Sequence, residues 1–197
     1  MVAAKASTSN TRIVGCMNHF EMFNLPAQFA LDNADLQRRY RQLQQTLHPD
    51  RFANASERDR LLAVQRSAQL NDAYTTLREP LARAEYLLQL QGIDLAHEQT
   101  TLRDPEFLMA QMEWRERLAE IEEELARGRQ LSPEGLTACP LALEQAQRDL
   151  EVEARQLFEQ LQQALEAQQY EPAAMLIRKL KFMAKLRTEL DGLEDQL

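Results

Sequence analysis

The sequence predicts an all-α protein with two domains, and three observations support this prediction. Residue types that favour helices dominate its 197 positions, whereas the chain contains only 5 glycines. In several long segments apolar residues recur every three or four positions, and no segment shows the alternating pattern of a strand. Nucleotide-binding α/β folds and β-sandwiches need many glycines for turns and phosphate loops, so both fold classes are disfavoured.

The first predicted helix begins at Asp32, because an aspartate side chain is a favourable N-cap. Four residues behind it recur at the spacing of one buried helix face: Leu36, Tyr40, Leu43 and Leu47. The helix must end near Leu47, since Pro49 pushes the residue before it out of the helical conformation. Arg38 and Arg41 lie on the opposite, outward face of this helix.

A second predicted helix follows Ser56, which with Asp59 three residues later resembles a capping box, and Pro80 marks its end. Two helices joined by a short loop pack as an antiparallel hairpin. A further amphipathic helix follows over 81–90 and is closed by Gly92. We expect these elements to form one domain over residues 17–90.

The second domain is predicted to be a three-helix bundle over 104–197. Residues 91–103 are polar and aperiodic, so we expect a linker there, and we expect 1–16 to be a flexible extension. Short breaks between helices imply antiparallel neighbours. The three helical patterns cover residues 104–127, 141–168 and 172–196.

The net charge of −8 is distributed unevenly: residues 1–16 carry +2, residues 17–90 carry 0 and residues 91–197 carry −10. An acidic chain disfavours nucleic acid as a partner. No apolar run approaches the roughly 18 residues of a membrane span, so we expect no membrane partner. The two cysteines are isolated, which fits a reducing compartment. We therefore expect a cytoplasmic bacterial protein, with the mitochondrial matrix as the alternative.

The loop between the hairpin helices carries the tripeptide His48-Pro49-Asp50. Because Pro49 fixes its φ angle, the neighbouring imidazole and carboxylate can be held in defined directions. A catalytic interpretation makes His48 a base oriented by Asp50, as in a hydrolase or phosphotransfer protein. No nucleophile, second carboxylate or metal-ligand cluster lies nearby in the sequence, so the residues alone specify no reaction.

In its context the tripeptide resembles the signature loop of a J-domain, the module by which co-chaperones stimulate ATP hydrolysis in DnaK-type chaperones. The surrounding features that carry this resemblance are the short apolar start over 20–25, the helix with Arg38 and Arg41, the loop continuing into Arg51, and the run Leu70-Asn71-Asp72-Ala73-Tyr74-x-x-Leu77 before Pro80.

The resemblance extends to the HscB-type co-chaperones of iron–sulfur cluster assembly and covers about residues 17–197. It is carried by residues 78–90, by Arg103-Asp104-x-x-Phe107-Leu108-Met109 and by the run from Ile177 to Phe182. Two features depart from the family pattern, namely the N-terminal extension and the long segment around 128–140. The CxxC pairs of many eukaryotic members are absent, so we expect no zinc. The resemblance assigns ATP to the partner chaperone, so we expect no cofactor.

The first helix of the second domain presents two different faces. Its core stripe is predicted to comprise Phe107, Trp114, Leu118, Ile121 and Leu125. On another face lie Leu108, Met109 and Met112, followed by Glu113, Glu116 and Glu120. An apolar strip bordered by charge is typical of a protein interaction site, although packing against another helix or the first domain is the alternative.

The resemblance assigns partners to these two regions. His48, Pro49 and Asp50, with Arg38 and Arg41, would bind an HscA/DnaK-type ATPase chaperone. The six strip residues, joined by Phe182, would bind an IscU-type scaffold protein. The predicted function is that of a co-chaperone without an active site of its own. The alternatives are a J-domain protein for a different client, a hydrolase using His48 and Asp50, and a helical adaptor.

Overall fold

The computed structural model describes residues 17–47, 56–93, 95, 104–131 and 139–195. Over these residues the chain forms seven α-helices and no strand, which confirms the all-α prediction. None of the described helices has a stretch long and apolar enough to cross a membrane. The helices are α1 (His19–Met22), α2 (Asn33–Leu47), α3 (Glu57–Arg78), α4 (Pro80–Leu90), α5 (Pro105–Leu131), α6 (Cys139–Glu166) and α7 (Tyr170–Glu194).

The helices group into two compact units. Unit 1 contains the described residues of 17–27 and 32–78, and unit 2 contains 28–31 and the described residues from 79 onward. Sequence patterning assigns α4 to the first domain, whereas its packing assigns it to unit 2. The expected extension over 1–16 lies outside the described residues, as does most of the expected linker.

The predicted start and end signals of the unit 1 hairpin are present. An Asp32 carboxylate oxygen accepts the Ala34 backbone N–H at 2.8 Å, and α2 ends at Leu47 as predicted. The Ser56 hydroxyl oxygen accepts the Asp59 backbone N–H at 3.2 Å, which caps α3. These side chains satisfy backbone donors that the first turn of a helix leaves without partners.

The middle of α2 is joined to the C-terminal part of α3 by an aromatic and polar contact. The rings of Tyr40 and Tyr74 stack with centroids 4.1 Å apart, and the Tyr40 hydroxyl donates to Asn71 Oδ1 at 3.0 Å. Asn71 and Tyr74 of α3 therefore both contact Tyr40 of α2. Beneath this contact lies the buried core of unit 1, which comprises Phe20, Phe23, Leu36, Ala63, Leu70, Ala73 and Leu77.

In unit 2, α6 and α7 form a long helical pair that carries two apolar clusters. In one cluster, α5 packs against this pair, so the three helices share a core as the predicted three-helix bundle does. Its buried members are Trp114, Leu118, Ile121, Leu125, Leu143, Ala146, Leu150, Met183, Leu186, Leu190 and Leu193. Every residue of the predicted α5 core stripe is buried. On α7 the buried residues include Leu180, Met183, Leu186 and Leu190, which recur at helical spacing.

The second cluster of unit 2 is where α4 packs. Its Ala84 and Leu88 side chains are fully buried against α6 and α7, whose contributions are Leu161, Ala164, Ala173, Ala174, Ile177 and Leu180. Gly92 follows α4 with a φ of 83° and donates its N–H to Gln89. This left-handed conformation favours glycine and closes the helix, as predicted.

Candidate functional site

The α5 face predicted to avoid the core is exposed. The Met109 side chain is 63% exposed and that of Met112 is 72% exposed, while Leu108 is half-buried. Glu113, Glu116 and Glu120 are exposed on the same side of the helix. We call these six residues the α5 strip. An apolar patch bordered by charged side chains is typical of a protein interaction site, so the strip has the character of a binding surface.

The start of α5 is attached to α7 by three contacts. The rings of Phe107 and Phe182 meet edge to face, with centroids 5.8 Å apart and planes at 89°. Lys179 Nζ lies 2.9 Å from an Asp104 carboxylate oxygen and 5.5 Å from the centroid of the Phe107 ring. Phe182 is half-buried against the bundle core, so it joins that core to the residue that precedes the strip.

Asp104 has two roles at this point of the fold. One carboxylate oxygen accepts the Phe107 backbone N–H at 3.0 Å and caps α5, while the other pairs with Lys179. The hydrogen bond from Lys179, assisted by the backbone N–H of Phe107, holds the pKa of Asp104 below its ordinary value. The carboxylate therefore stays ionised to lower pH than an unpaired aspartate, and both roles need the ionised form.

Trp114 belongs to the opposite, core-facing side of α5, as predicted. It is 8% exposed, and its indole N–H donates to a Glu153 carboxylate oxygen on α6 at 3.0 Å. A buried indole needs such a partner. Trp114 therefore fixes the rotation of α5 about its axis, which leaves the methionines outside the core.

The candidate chaperone-binding residues of unit 1 are partly within the described chain. Arg38 and Arg41 are both exposed on the outward face of α2, where Arg38 forms an ion pair with Asp35. Exposed pairs of this kind are weak, so this guanidinium can exchange partners at little cost. His48, Pro49 and Asp50 lie outside the described residues.

Arg39, between these two arginines, was not singled out by sequence reasoning and has a structural role. Its guanidinium binds the Asp35 carboxylate at 2.8 Å and donates to the backbone carbonyls of Phe23 and Asn24 at 3.0 and 3.1 Å. It thereby fastens the turn that follows α1. The sequence signal that could have indicated this role is the helical position of Arg39, which lies on the side of α2 nearer Leu36 and Tyr40 than Arg38 and Arg41 do.

The pairing of Asp104 with Lys179 is a second feature that sequence reasoning missed. The available signal for Asp104 was an aspartate placed just before a helical pattern, which is typical of an N-cap. Nothing in the sequence indicates the partner of Lys179, because that pairing depends on the relative register of α5 and α7.

A metal site and a pocket are two other kinds of site that a helical protein can offer. Within the described chain, no group of three or more His, Cys, Asp or Glu side chains is arranged to hold a metal ion. A groove of about 670 Å³ lies between α6 and α7, beside the first turn of α4. None of the α5 strip residues lines this groove, so the strip is an exposed helix face rather than a pocket.

In the described residues a helical hairpin with outward arginines is followed by a helical unit with an apolar and acidic strip, which is the arrangement that the resemblance to two-domain J-domain proteins implies. The family model described as the HSCB C-terminal oligomerisation domain matches residues 103–191. A curated relative from Shewanella loihica, named Co-chaperone protein HscB homolog, is 48% identical over 92% of this chain and 99% of its own length. The chain belongs to the HscB family of co-chaperones.

Solved structures agree with this assignment. Chaperone HscB from Vibrio cholerae superposes with a TM-score of 0.76 at 47% identity, covering 91% of this chain and 99% of that one. The human co-chaperone protein HscB gives a TM-score of 0.77 at 27% identity and covers 92% of this chain and 84% of that one. The fold prediction of an N-terminal J-domain with a helical C-terminal domain is confirmed.

Proposed function

We propose that this co-chaperone stimulates ATP hydrolysis by an HscA/DnaK-type chaperone and brings it an IscU-type iron–sulfur scaffold bound on the α5 strip. The J-domain would contact the chaperone and unit 2 would contact the scaffold. The chain would thus regulate the ATPase of its partner and would need no cofactor of its own.

The exposure of Met109 and Met112 is the observation that carries the scaffold half of this proposal. Their helix already buries a complete stripe in the bundle core, so folding alone does not account for the second apolar face. Methionine suits a binding surface because its flexible thioether side chain adapts to the shape of a partner.

The charge beside the methionines indicates the chemistry of the partner surface. Glu113, Glu116 and Glu120 are exposed along one edge of the strip. A scaffold that fits should therefore present a hydrophobic patch bordered by lysine or arginine. Such charge complementarity accelerates encounter and selects partners, while the desolvated apolar contacts supply most of the affinity.

The chaperone half of the proposal is supported by the outward arginines of α2. Arg38 and Arg41 give an exposed cationic surface that an acidic chaperone surface would complement. By its family resemblance, the His48-Pro49-Asp50 loop would couple contact with the chaperone to ATP hydrolysis. In this mechanism the arginines would determine the rate of encounter with the chaperone, and the loop would determine the extent of ATPase stimulation.

The test is a steady-state ATPase assay of the cognate chaperone with the parent chain, with the Asp50→Asn variant, and with each plus scaffold. We expect the parent chain to stimulate turnover and the scaffold to increase this stimulation synergistically. Asp50→Asn should keep the parent's circular dichroism spectrum and thermal midpoint but abolish stimulation. Stimulation that persists in this variant would contradict the J-domain mechanism.

The same assay separates the alternatives. Stimulation without scaffold synergy would indicate a J-domain protein with a different client. ATP turnover by the chain alone would indicate a hydrolase, and no effect on the chaperone would indicate an adaptor.

A further inference from the structure

Four side chains form a compact bridge between the start of α5 and the middle of α7. Asp104 caps α5 and Phe107 lies in its first turn, while Lys179 and Phe182 come from α7. Each pair has the i, i+3 spacing that places both residues on one side. The carboxylate meets the ammonium at 2.9 Å, and the two rings meet at a centroid distance of 5.8 Å. We call these four residues the α5–α7 clamp.

The clamp borders the α5 strip directly. On a helical wheel of about 100° per residue, Asp104 lies between Phe107 and Leu108. Leu108 is the first strip residue and is half-buried at this border. The contacts that hold Asp104 and Phe107 therefore also fix where the strip begins and in which direction it points.

We propose that Lys179 is a positioning residue for the scaffold surface: through Asp104 and Phe107 it holds the first turns of α5, and with them the α5 strip, in the orientation that the scaffold binds. This inference rests on the proposed function. A strip already fixed before binding loses less conformational freedom when the partner arrives, and affinity rises accordingly. Lys179 acts from α7 and need not touch the scaffold.

The sign of the expected effect distinguishes positioning from simple charge. The proposed scaffold surface has a basic border, so removal of a lysine near the strip would strengthen binding if Lys179 acted through its field. Weaker binding in Lys179→Gln has the opposite sign to this field effect, and faster amide exchange in the strip would assign it to a change in the strip itself.

Lys181 provides a matched control on the same helix. Its ammonium pairs with Glu85 of α4 at 2.7 Å, so Lys181→Gln also removes one lysine charge and one ion pair from α7. It leaves the clamp intact. Lys179→Arg is the conservative variant, because a guanidinium can pair with Asp104 and stack on the Phe107 ring.

The experiment uses the full chain and two measurements. Hydrogen exchange of the backbone amides of residues 107–112 is measured without scaffold, and scaffold affinity is measured by isothermal titration calorimetry. We expect Lys179→Gln to accelerate exchange locally and to weaken scaffold binding about three- to fivefold, the size of one partly exposed ion pair. Lys179→Arg should restore most of both properties, and Lys181→Gln should match the parent chain.

Unchanged exchange in Lys179→Gln would overturn the inference, and so would an arginine variant as weak as the glutamine variant. Accelerated exchange with parental affinity would also overturn it, provided that truncation of Met109 and Met112 to alanine lowers affinity in the same assay. If that truncation has no effect either, the scaffold site of the proposed function is wrong, and the two failures are thereby distinguished.

Discussion

Truncation of the two exposed methionines is the most direct test of the α5 strip. Met109→Ala with Met112→Ala should leave the folded chain almost unchanged, because the side chains are 63% and 72% exposed. Substitutions at exposed sites usually change the free energy of unfolding by no more than about 0.5 kcal/mol. Alanine also has the most favourable helix propensity, so α5 should persist.

The expected loss of scaffold affinity follows from the apolar surface removed. Complete burial of a methionine side chain contributes about 1.5–3 kcal/mol, and alanine retains only its first carbon. If the scaffold covers both thioethers, the double variant should lose about 2–3 kcal/mol of binding free energy, or about 30- to 150-fold in Kd. Isothermal titration calorimetry against the scaffold measures this directly.

The control is a second pair of exposed apolar residues elsewhere in unit 2. Leu141 and Val152 of α6 are 64% and 53% exposed and lie outside the strip. Leu141→Ala with Val152→Ala should bind the scaffold like the parent chain. Parental affinity in the methionine variant, or an equal loss in the control pair, would refute the assignment of the strip.

Two further predictions concern stability. Because pairing with Lys179 lowers the pKa of Asp104, the stabilisation is fully present above the unfolded-state pKa of the carboxyl group and is lost as pH falls through the lower folded-state value. Denaturation at several pH values should show a shallower acid decline for Asp104→Asn than for the parent, and parallel declines would contradict this. Tyr40→Phe should lower the free energy of unfolding by about 0.5–1 kcal/mol, because stacking on Tyr74 remains but the hydroxyl's hydrogen bonds with Asn71 and Gln44 are lost. In a double-mutant cycle with Asn71→Ala the two losses should not add, and strict additivity would show that the bond contributes nothing.

The elements that sequence reasoning located best are those with local physical signals. Asp32 caps α2, and Pro49 forces its end near Leu47, so both bounds could be predicted from neighbouring residues alone. The core stripe of α5 could be predicted because a single helix face repeats with fixed periodicity. The same periodicity places the exposed methionines on a face separate from the core stripe.

The features that the sequence does not predict are those that depend on which helices pack against each other. The amphipathic pattern of α4 shows that Ala84 and Leu88 need an apolar partner, but it does not identify that partner. The sequence therefore groups α4 with the helices that precede it, whereas α4 packs on α6 and α7. The contact between Lys179 and Asp104 depends likewise on the register of α7 against α5. The assigned roles of the candidate site residues stay predictions, and three of those residues, His48, Pro49 and Asp50, lie outside the described chain.

The half-burial of Phe182 shows how the strip relates to the bundle beneath it. A fully buried phenylalanine ring would only stabilise the core, and a fully exposed ring would be available only to a binding partner. Phe182 instead packs on the core and meets Phe107 edge to face, directly before Leu108. Through Phe182 and Phe107 the packed core therefore reaches the residue that immediately precedes the strip. We therefore expect a partner that binds the strip to meet a surface whose first turn is already held by the bundle, at a smaller loss of conformational freedom.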